Sequence, residues 1–180
     1  MSNDSAFLSA IRSRAARIAV GPSTARGQGR AGVVDASRRF LRGLDLRPFG
    51  TDDTRRFRQA LDQTTRECVA ALPRDAQSWG LARKLLNIFL RDCLYTTYLC
   101  DQYKLGQAEA FFELPLDSIT AKELRRERGR GALPPWRGLK HLVAEISDLY
   151  QDAAARVARE RGVCRVHLDA YWWSQSRDGL

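Results

Sequence analysis

Trp79-Gly80-Leu81-Ala82-Arg83-Lys84-Leu85-Leu86-Asn87, continuing through Ile88-Phe89-Leu90 to Leu99, is the stretch that decides the fold. Over residues 80–104, Leu85, Leu86, Ile88, Phe89, Leu90, Leu94, Tyr95, Tyr98 and Leu99 leave almost no polar face. A helix that is apolar nearly all round belongs in the middle of a domain. The pattern therefore predicts a central helix over 80–104, with Ser78 as its N-cap and Gly106 as its end. Lys84, Asn87 and Arg91 fall at i, i+3 and i+7 and form its one polar stripe, expected to face a cleft. Gly80 predicts a glycine turn feeding the helix start, where unpaired N–H groups and the positive dipole end favour a phosphate.

The rest of the chain is also predicted to be helical. Residues 4–19 carry Phe7, Leu8, Ile11, Ala15 and Ile18 at helical spacing behind a Ser/Asp start. Residues 20–32 are Gly-rich, polar and basic, and are expected to be a mobile loop. A short helix over 34–43 leads to a turn at Pro48-Phe49-Gly50. Thr51-Asp52 is expected to cap a helix over roughly 53–72, with Phe57, Leu61, Thr64, Cys68 and Leu72 inside and Pro73 as its stop. Residues 107–114 form a connector. Asp117 or Ser118 caps a helix to about 127, followed by a basic loop over 128–135. A helix begins near Trp136 or Gly138. Another covers 144–161, with Ile146, Leu149, Tyr150, Ala153, Ala154 and Val157 inside and Gly162 as its C-cap. The last stretch, Val163 to Trp173, has no strand to pair with and is expected to be a short helix. The fold class is all-α: one compact helical domain over 1–180.

Composition bounds the function. A hydrophobic fraction of 44% over 180 residues supports a single core. No window is apolar enough for a membrane span, and the polar start Met1-Ser2-Asn3-Asp4-Ser5 lacks a signal core. These features predict a soluble cytoplasmic monomer, with no membrane partner. The net charge of +9 favours a polyanion. There are 26 Arg against 4 Lys, a bias that base composition alone also produces. Cys68, Cys93, Cys100 and Cys164 form no Cys-x-x-Cys pair, and no His is expected at ligand spacing from them. Cys93 and Cys100, seven apart, are expected on one helix face, too far apart for a disulfide. The expectation is no metal, no cofactor and no disulfide.

Lys84 lies in the first turn of the central helix, where the dipole and Arg83 favour the neutral, nucleophilic amine. Taken alone, the ordinary use of such a lysine is merely to snorkel from the end of a buried helix. Lysine is scarce here, however, and arginine would serve either for snorkelling or for phosphate. Only chemistry requires an amine that can lose its proton. Pro115-Leu116-Asp117-Ser118-Ile119 lies 33 residues after Lys84. On its own it is an ordinary helix start, and a carboxylate there stays ionised.

Together the two segments resemble the helix-hairpin-helix DNA glycosylase superfamily, which includes endonuclease III and the 8-oxoguanine glycosylases. The family's hairpin commonly ends Gly-Val-Gly-Arg-Lys-Thr-Ala-Asn, and Gly80, Arg83, Lys84 and Asn87 stand in the same register. Its Pro-Val-Asp-Thr-His type segment is matched by Pro115-Leu116-Asp117-Ser118, with Ile119 in place of His. Ala82 replaces the second hairpin glycine, and the long Lys–Asp gap is similar to the archaeal 8-oxoguanine branch. The resemblance implies a helix-hairpin-helix element, a Schiff-base nucleophile at Lys84 and an assisting carboxylate at Asp117. It also implies double-stranded DNA with a base flipped into a pocket, in the setting of a bacterial nucleoid. Gly80, Arg83 and Asn87 would then contact DNA, helped by the basic run that contains Arg125 and Arg126. A solvated face is the ordinary use of such a run. Trp79 and Trp172 are candidates to stack on an extruded base, although packing is the ordinary use of a tryptophan. His141 and His167 are taken as structural or surface residues. The rival reading is a non-catalytic helical DNA-binding or adaptor protein, in which Lys84 is only a cation. A third is an interaction bundle with no DNA role.

Overall fold

The structure is a computed structural model and describes residues 2–21, 24, 27 and 32–177. The mobile loop expected over 20–32 falls largely on residues outside that set. The described residues form helices and no strand, so the fold is all-α. The α-helices are α1 (Ser2–Ala19), α2 (Val33–Gly43), α3 (Thr54–Ala71), α4 (Trp79–Tyr95), α5 (Thr97–Tyr103), α6 (Ser118–Arg128), α7 (Ala144–Glu160) and α8 (Leu168–Arg177). Short 3-10 turns cover Arg47–Phe49, Arg74–Ala76, Leu105–Phe111, Leu139–His141 and Arg165–His167. None of these helices is long and apolar enough to cross a membrane.

α4 is the central element that its apolar pattern predicts. It packs against α1, α2, α3 and α5 and against the 3-10 turns over 105–111 and 139–141. Leu81, Leu85, Leu86, Phe89, Leu90 and Cys93 along it are buried. Each such large side chain contributes about 1.5–3 kcal/mol relative to exposure. Ser78 caps the helix, accepting from the Leu81 N–H at 3.2 Å. α6 packs against α7 and α8.

Several expectations are corrected. The helix predicted over 80–104 is two helices. Thr96 takes extended backbone angles, and its hydroxyl donates to the Asp92 carbonyl at 2.7 Å, closing α4 before α5 begins. Cys93 and Cys100 therefore lie on different helices. Tyr95 and Tyr98, counted as apolar lining, are half exposed. Lys104, in the left-handed region at φ 55°, ends α5, and Gly106 falls inside the following 3-10 turn. Asp53, not Thr51 or Asp52, caps α3 and accepts from the Arg55 and Arg56 N–H groups. Arg161 is the C-cap of α7, and Gly162 follows it at φ 68°. The helix expected near Trp136 is only the 3-10 turn over 139–141. Phe7, Ile18 and Leu149, placed inside by periodicity, are exposed, and Ala15, Ala16 and Ala19 supply the buried side of α1.

Gly80 does not form a turn. It sits inside the first turn of α4, buried against the 3-10 turn over 139–141. A Cβ there would meet the Leu139 carbonyl and would lie 2.7 Å from the Leu142 Cβ. Close helix–turn packing accounts for this glycine. The connection from α3 to α4 turns instead through Pro73 and the 3-10 residues Arg74–Ala76.

Candidate functional site

The polar stripe of α4 divides into two faces. Arg83 and Asn87, at i and i+4, point inward, and each is only 3% exposed. Both grip Glu113, which is 5% exposed. The Arg83 Nε and Nη2 each donate to a Glu113 oxygen at 2.8 Å, and the Asn87 amide donates at 3.0 Å. Arg83 Nη1 donates to Asp62 at 2.8 Å and to the Thr65 hydroxyl at 2.9 Å. A buried arginine is tolerable only with such saturation. Burial pushes the Glu113 carboxyl up, but Arg83, Arg165 and Asn87 together hold it below its ordinary range.

Glu113 belongs to the buried segment Phe112–Leu116. Gln151 of α7 clamps this segment, accepting from the Leu114 N–H at 3.0 Å and donating to the Leu114 carbonyl at 2.8 Å. Arg165 donates to the Phe111 and Phe112 carbonyls. A chain segment with its polar groups satisfied this way is fixed in position. It delivers Asp117 to the mouth of α4.

Lys84 and Asp117 meet there. Lys84 Nζ lies 3.5 Å from Asp117 Oδ2, with side chains 11% and 20% exposed. The two carboxylate oxygens do different work. Oδ1 accepts from the Ile119 and Thr120 N–H groups at 2.9 and 3.0 Å and caps α6. Thr120 completes a capping box, its hydroxyl accepting from the Asp117 N–H at 2.9 Å. Oδ2 is left to the lysine. The α6 dipole adds to the stabilisation of this carboxylate.

The outer face of α4 continues from Lys84 to Arg91, where Arg91 pairs with Asp92 at 3.0 Å and with Asp169 at the start of α8. Burial pushes the Asp169 carboxyl up. Arg91 opposes that push, Asp117 adds to it, and Lys84 opposes it again. Asp169 therefore belongs to the same charged cluster as the Lys84–Asp117 pair, which sequence reasoning missed. Its one sequence signal is a lone acidic residue at a helix start near the C-terminus. Burial likewise pushes the Asp92 carboxyl up, with Arg91 pulling it down.

The remaining candidates are placed differently from expectation. Gly80, Arg83 and Asn87 are buried and engaged within the protein, so they are unavailable to DNA. Trp172, expected to stack on a base, is 2% exposed and packs in the core, with the Arg161 guanidinium 5.7 Å from its ring. Trp79 is half-buried, and the Arg83 guanidinium lies 5.2 Å from its ring. Arg125 and Arg126 are exposed on α6, and Arg126 pairs with Glu123 at 2.6 Å. His141 is exposed. His167 bonds to Tyr95 and Glu109. It also follows Cys164 by three residues, so a histidine does stand at ligand spacing from a cysteine. Cavities of about 660 and 520 Å³ are lined by other residues than Lys84 and Asp117. No protein-family model, curated protein or solved structure matches the chain.

Proposed function

We propose that this protein is a DNA glycosylase with lyase activity, in which Lys84 is the nucleophile and Asp117 the assisting carboxylate. The observation that carries the reading is the 3.5 Å Lys84–Asp117 pair at the partly open start of two helices. The two residues are 33 positions apart in the chain and are the pair that the resemblance names. The net charge of +9 and the exposed Arg125 and Arg126 supply the electrostatic attraction that a duplex requires. Phosphate contact at Gly80 and Arg83 forms no part of the proposal, because both are buried.

In this reading Lys84 reacts as the neutral amine, its proton released to solvent so that Asp117 keeps its negative charge, and the amine bonds to the sugar C1′. The glycosidic bond breaks, and the base leaves with the electron pair and takes up a proton. Asp117 faces the positive charge that develops on the sugar. The C1′–O4′ bond then breaks, O4′ takes up the proton lost from nitrogen, and the Schiff base forms. Removal of a C2′ proton then expels the 3′ phosphate. The substrate class is a damaged or modified base extruded from double-stranded DNA.

Borohydride trapping on a panel of duplexes with different base lesions tests the reading. The native protein is expected to form a covalent adduct on at least one, lost in Lys84→Gln. Asp117→Asn is expected to lose base release while retaining DNA affinity. DNA binding with no adduct on any duplex, and affinity unchanged by Lys84→Gln, would establish the rival reading of a non-catalytic DNA-binding protein.

A further inference from the structure

Away from the Lys84–Asp117 pair, one cluster among the described residues has the donor types of a metal site. Glu109, Cys164 and His167 each present one ligand atom, and all three atoms lie within 4.8 Å of one another. We propose that these three side chains form a zinc site with an open fourth position.

Local structure brings two of the donors together. The His167 N–H donates to the Cys164 carbonyl at 3.0 Å, closing a single turn from Cys164 to His167. With three residues per turn in 3-10 geometry, side chains at i and i+3 fall on one side. Glu109 arrives from the 3-10 turn Leu105–Phe111, which packs on this one.

The histidine has both ring nitrogens held, and zinc would replace the proton shared between its Nε2 and Glu109. Its Nδ1 lies 2.8 Å from the Tyr95 hydroxyl, and its Nε2 lies 2.8 Å from Glu109 Oε1. The Tyr95 ring stacks on the imidazole with an interplanar angle of 14°. With its proton on Nδ1, the imidazole donates to the tyrosine oxygen and frees the Nε2 lone pair. Ligating histidines ordinarily have their second nitrogen held this way. Bond lengths of about 2.0–2.3 Å in a tetrahedral site put ligand atoms roughly 3.3–3.8 Å apart. The Nε2–Oε1 distance of 2.8 Å would have to open and the other donor distances lie within 4.8 Å, so the side chains must move to take an ion.

The donor set selects the ion. Imidazole, thiolate and carboxylate together suit zinc, whereas magnesium and calcium take oxygen ligands. Thiolate and carboxylate balance the divalent charge. Arg165 lines the same cavity, with its guanidinium engaged by the Phe111 and Phe112 carbonyls. The three donors line a cavity of about 660 Å³, so water reaches the fourth position. Three protein ligands and an open position are the arrangement of zinc sites that bind water or a small anion. Arg159 lines the same cavity and suits an anionic ligand there. The ion would also tie the 105–111 turn to the turn that begins α8.

Cobalt(II) titration of the reduced full-length protein tests the site. The expected result is tetrahedral d–d absorption with a thiolate-to-cobalt charge-transfer band, both displaced by stoichiometric zinc. Cys164→Ser is expected to abolish the charge-transfer band, and Cys100→Ser to leave it intact. His167→Gln and Glu109→Gln each weaken zinc binding at least tenfold. Tyr95→Phe weakens it by about 10–100-fold, as loss of an orienting partner does. Zinc is expected to raise the Tm of the native protein but not that of Cys164→Ser. Octahedral cobalt spectra, or a charge-transfer band that survives Cys164→Ser, would overturn the proposal. So would native zinc affinity in both His167→Gln and Glu109→Gln.

Discussion

Glu113→Gln isolates the interaction that fixes the segment before Asp117. The substitution keeps the side-chain shape, removes its charge and replaces one acceptor oxygen with a donor. Arg83, 3% exposed, then loses a bidentate partner that it holds at 2.8 Å through both Nε and Nη2. Removing one partner of a buried pair costs about 3–5 kcal/mol, because the other charge stays behind. Asp62 still pairs with Arg83 Nη1, but its side chain is 39% exposed. The lower end applies, about 3 kcal/mol, or a Tm lower by roughly 6–12 °C for a chain of this size. Urea unfolding at pH 7 measures the loss. Arg83→Met combined with Glu113→Met is expected to lose less than Glu113→Gln alone, since no unpaired charge remains.

The pH dependence follows from the same pair. The folded state holds the Glu113 carboxyl below its ordinary value of 4.5, so the native protein binds that proton less readily than the unfolded chain. The stability gained is present above about pH 4.5 and is lost as pH falls through the lower folded value. Native protein should therefore lose stability in acid more steeply than Glu113→Gln. A loss below about 1 kcal/mol for Glu113→Gln at pH 7, against the 3–5 kcal/mol of a broken buried pair, would refute the account of the anchor.

Gly80→Ala drives a methyl group into the Leu139 carbonyl and the Leu142 side chain, and should cost about 1–3 kcal/mol in denaturant unfolding. A neutral result would mean that the 139–141 turn yields freely. Trp172→Ala empties a core position that is 2% exposed and should cost about 3–5 kcal/mol by the same measurement, far more than a base-stacking surface residue would. At Asp117, Asn caps a helix as well as Asp and Ala does not, so Asp117→Ala should be about 1 kcal/mol less stable than Asp117→Asn. Equal stabilities would show that the α6 cap contributes nothing.

The helices were legible because their apolar spacing is local. α3, with Phe57, Leu61, Thr64 and Cys68 inward, and α7 follow their patterns within a few residues. The break at Thr96 was not legible, because Tyr95, Tyr98 and Leu99 continue an apolar run whatever the backbone does. Lys84 and Asp117 were legible as residue types at two helix starts. Whether Arg83 and Asn87 faced inward or outward depended on Glu113, 30 positions after Arg83 and carrying no local signal. Asp169 was hidden for the same reason. Its partner Arg91 stands 78 positions away, and no periodicity connects them.

Asp117 spends its conformational freedom when the protein folds. Two backbone N–H groups hold Oδ1, and the Thr120 hydroxyl holds the Asp117 N–H, so the remaining oxygen has one direction in which to point. A free carboxylate would lose rotamer entropy and reorganise its water each time a cation formed in front of it. Here that cost has been met before any ligand arrives. The carboxylate is preorganised, and in the proposed reaction a positive charge appearing beside Lys84 would meet a fixed negative charge already aimed at it.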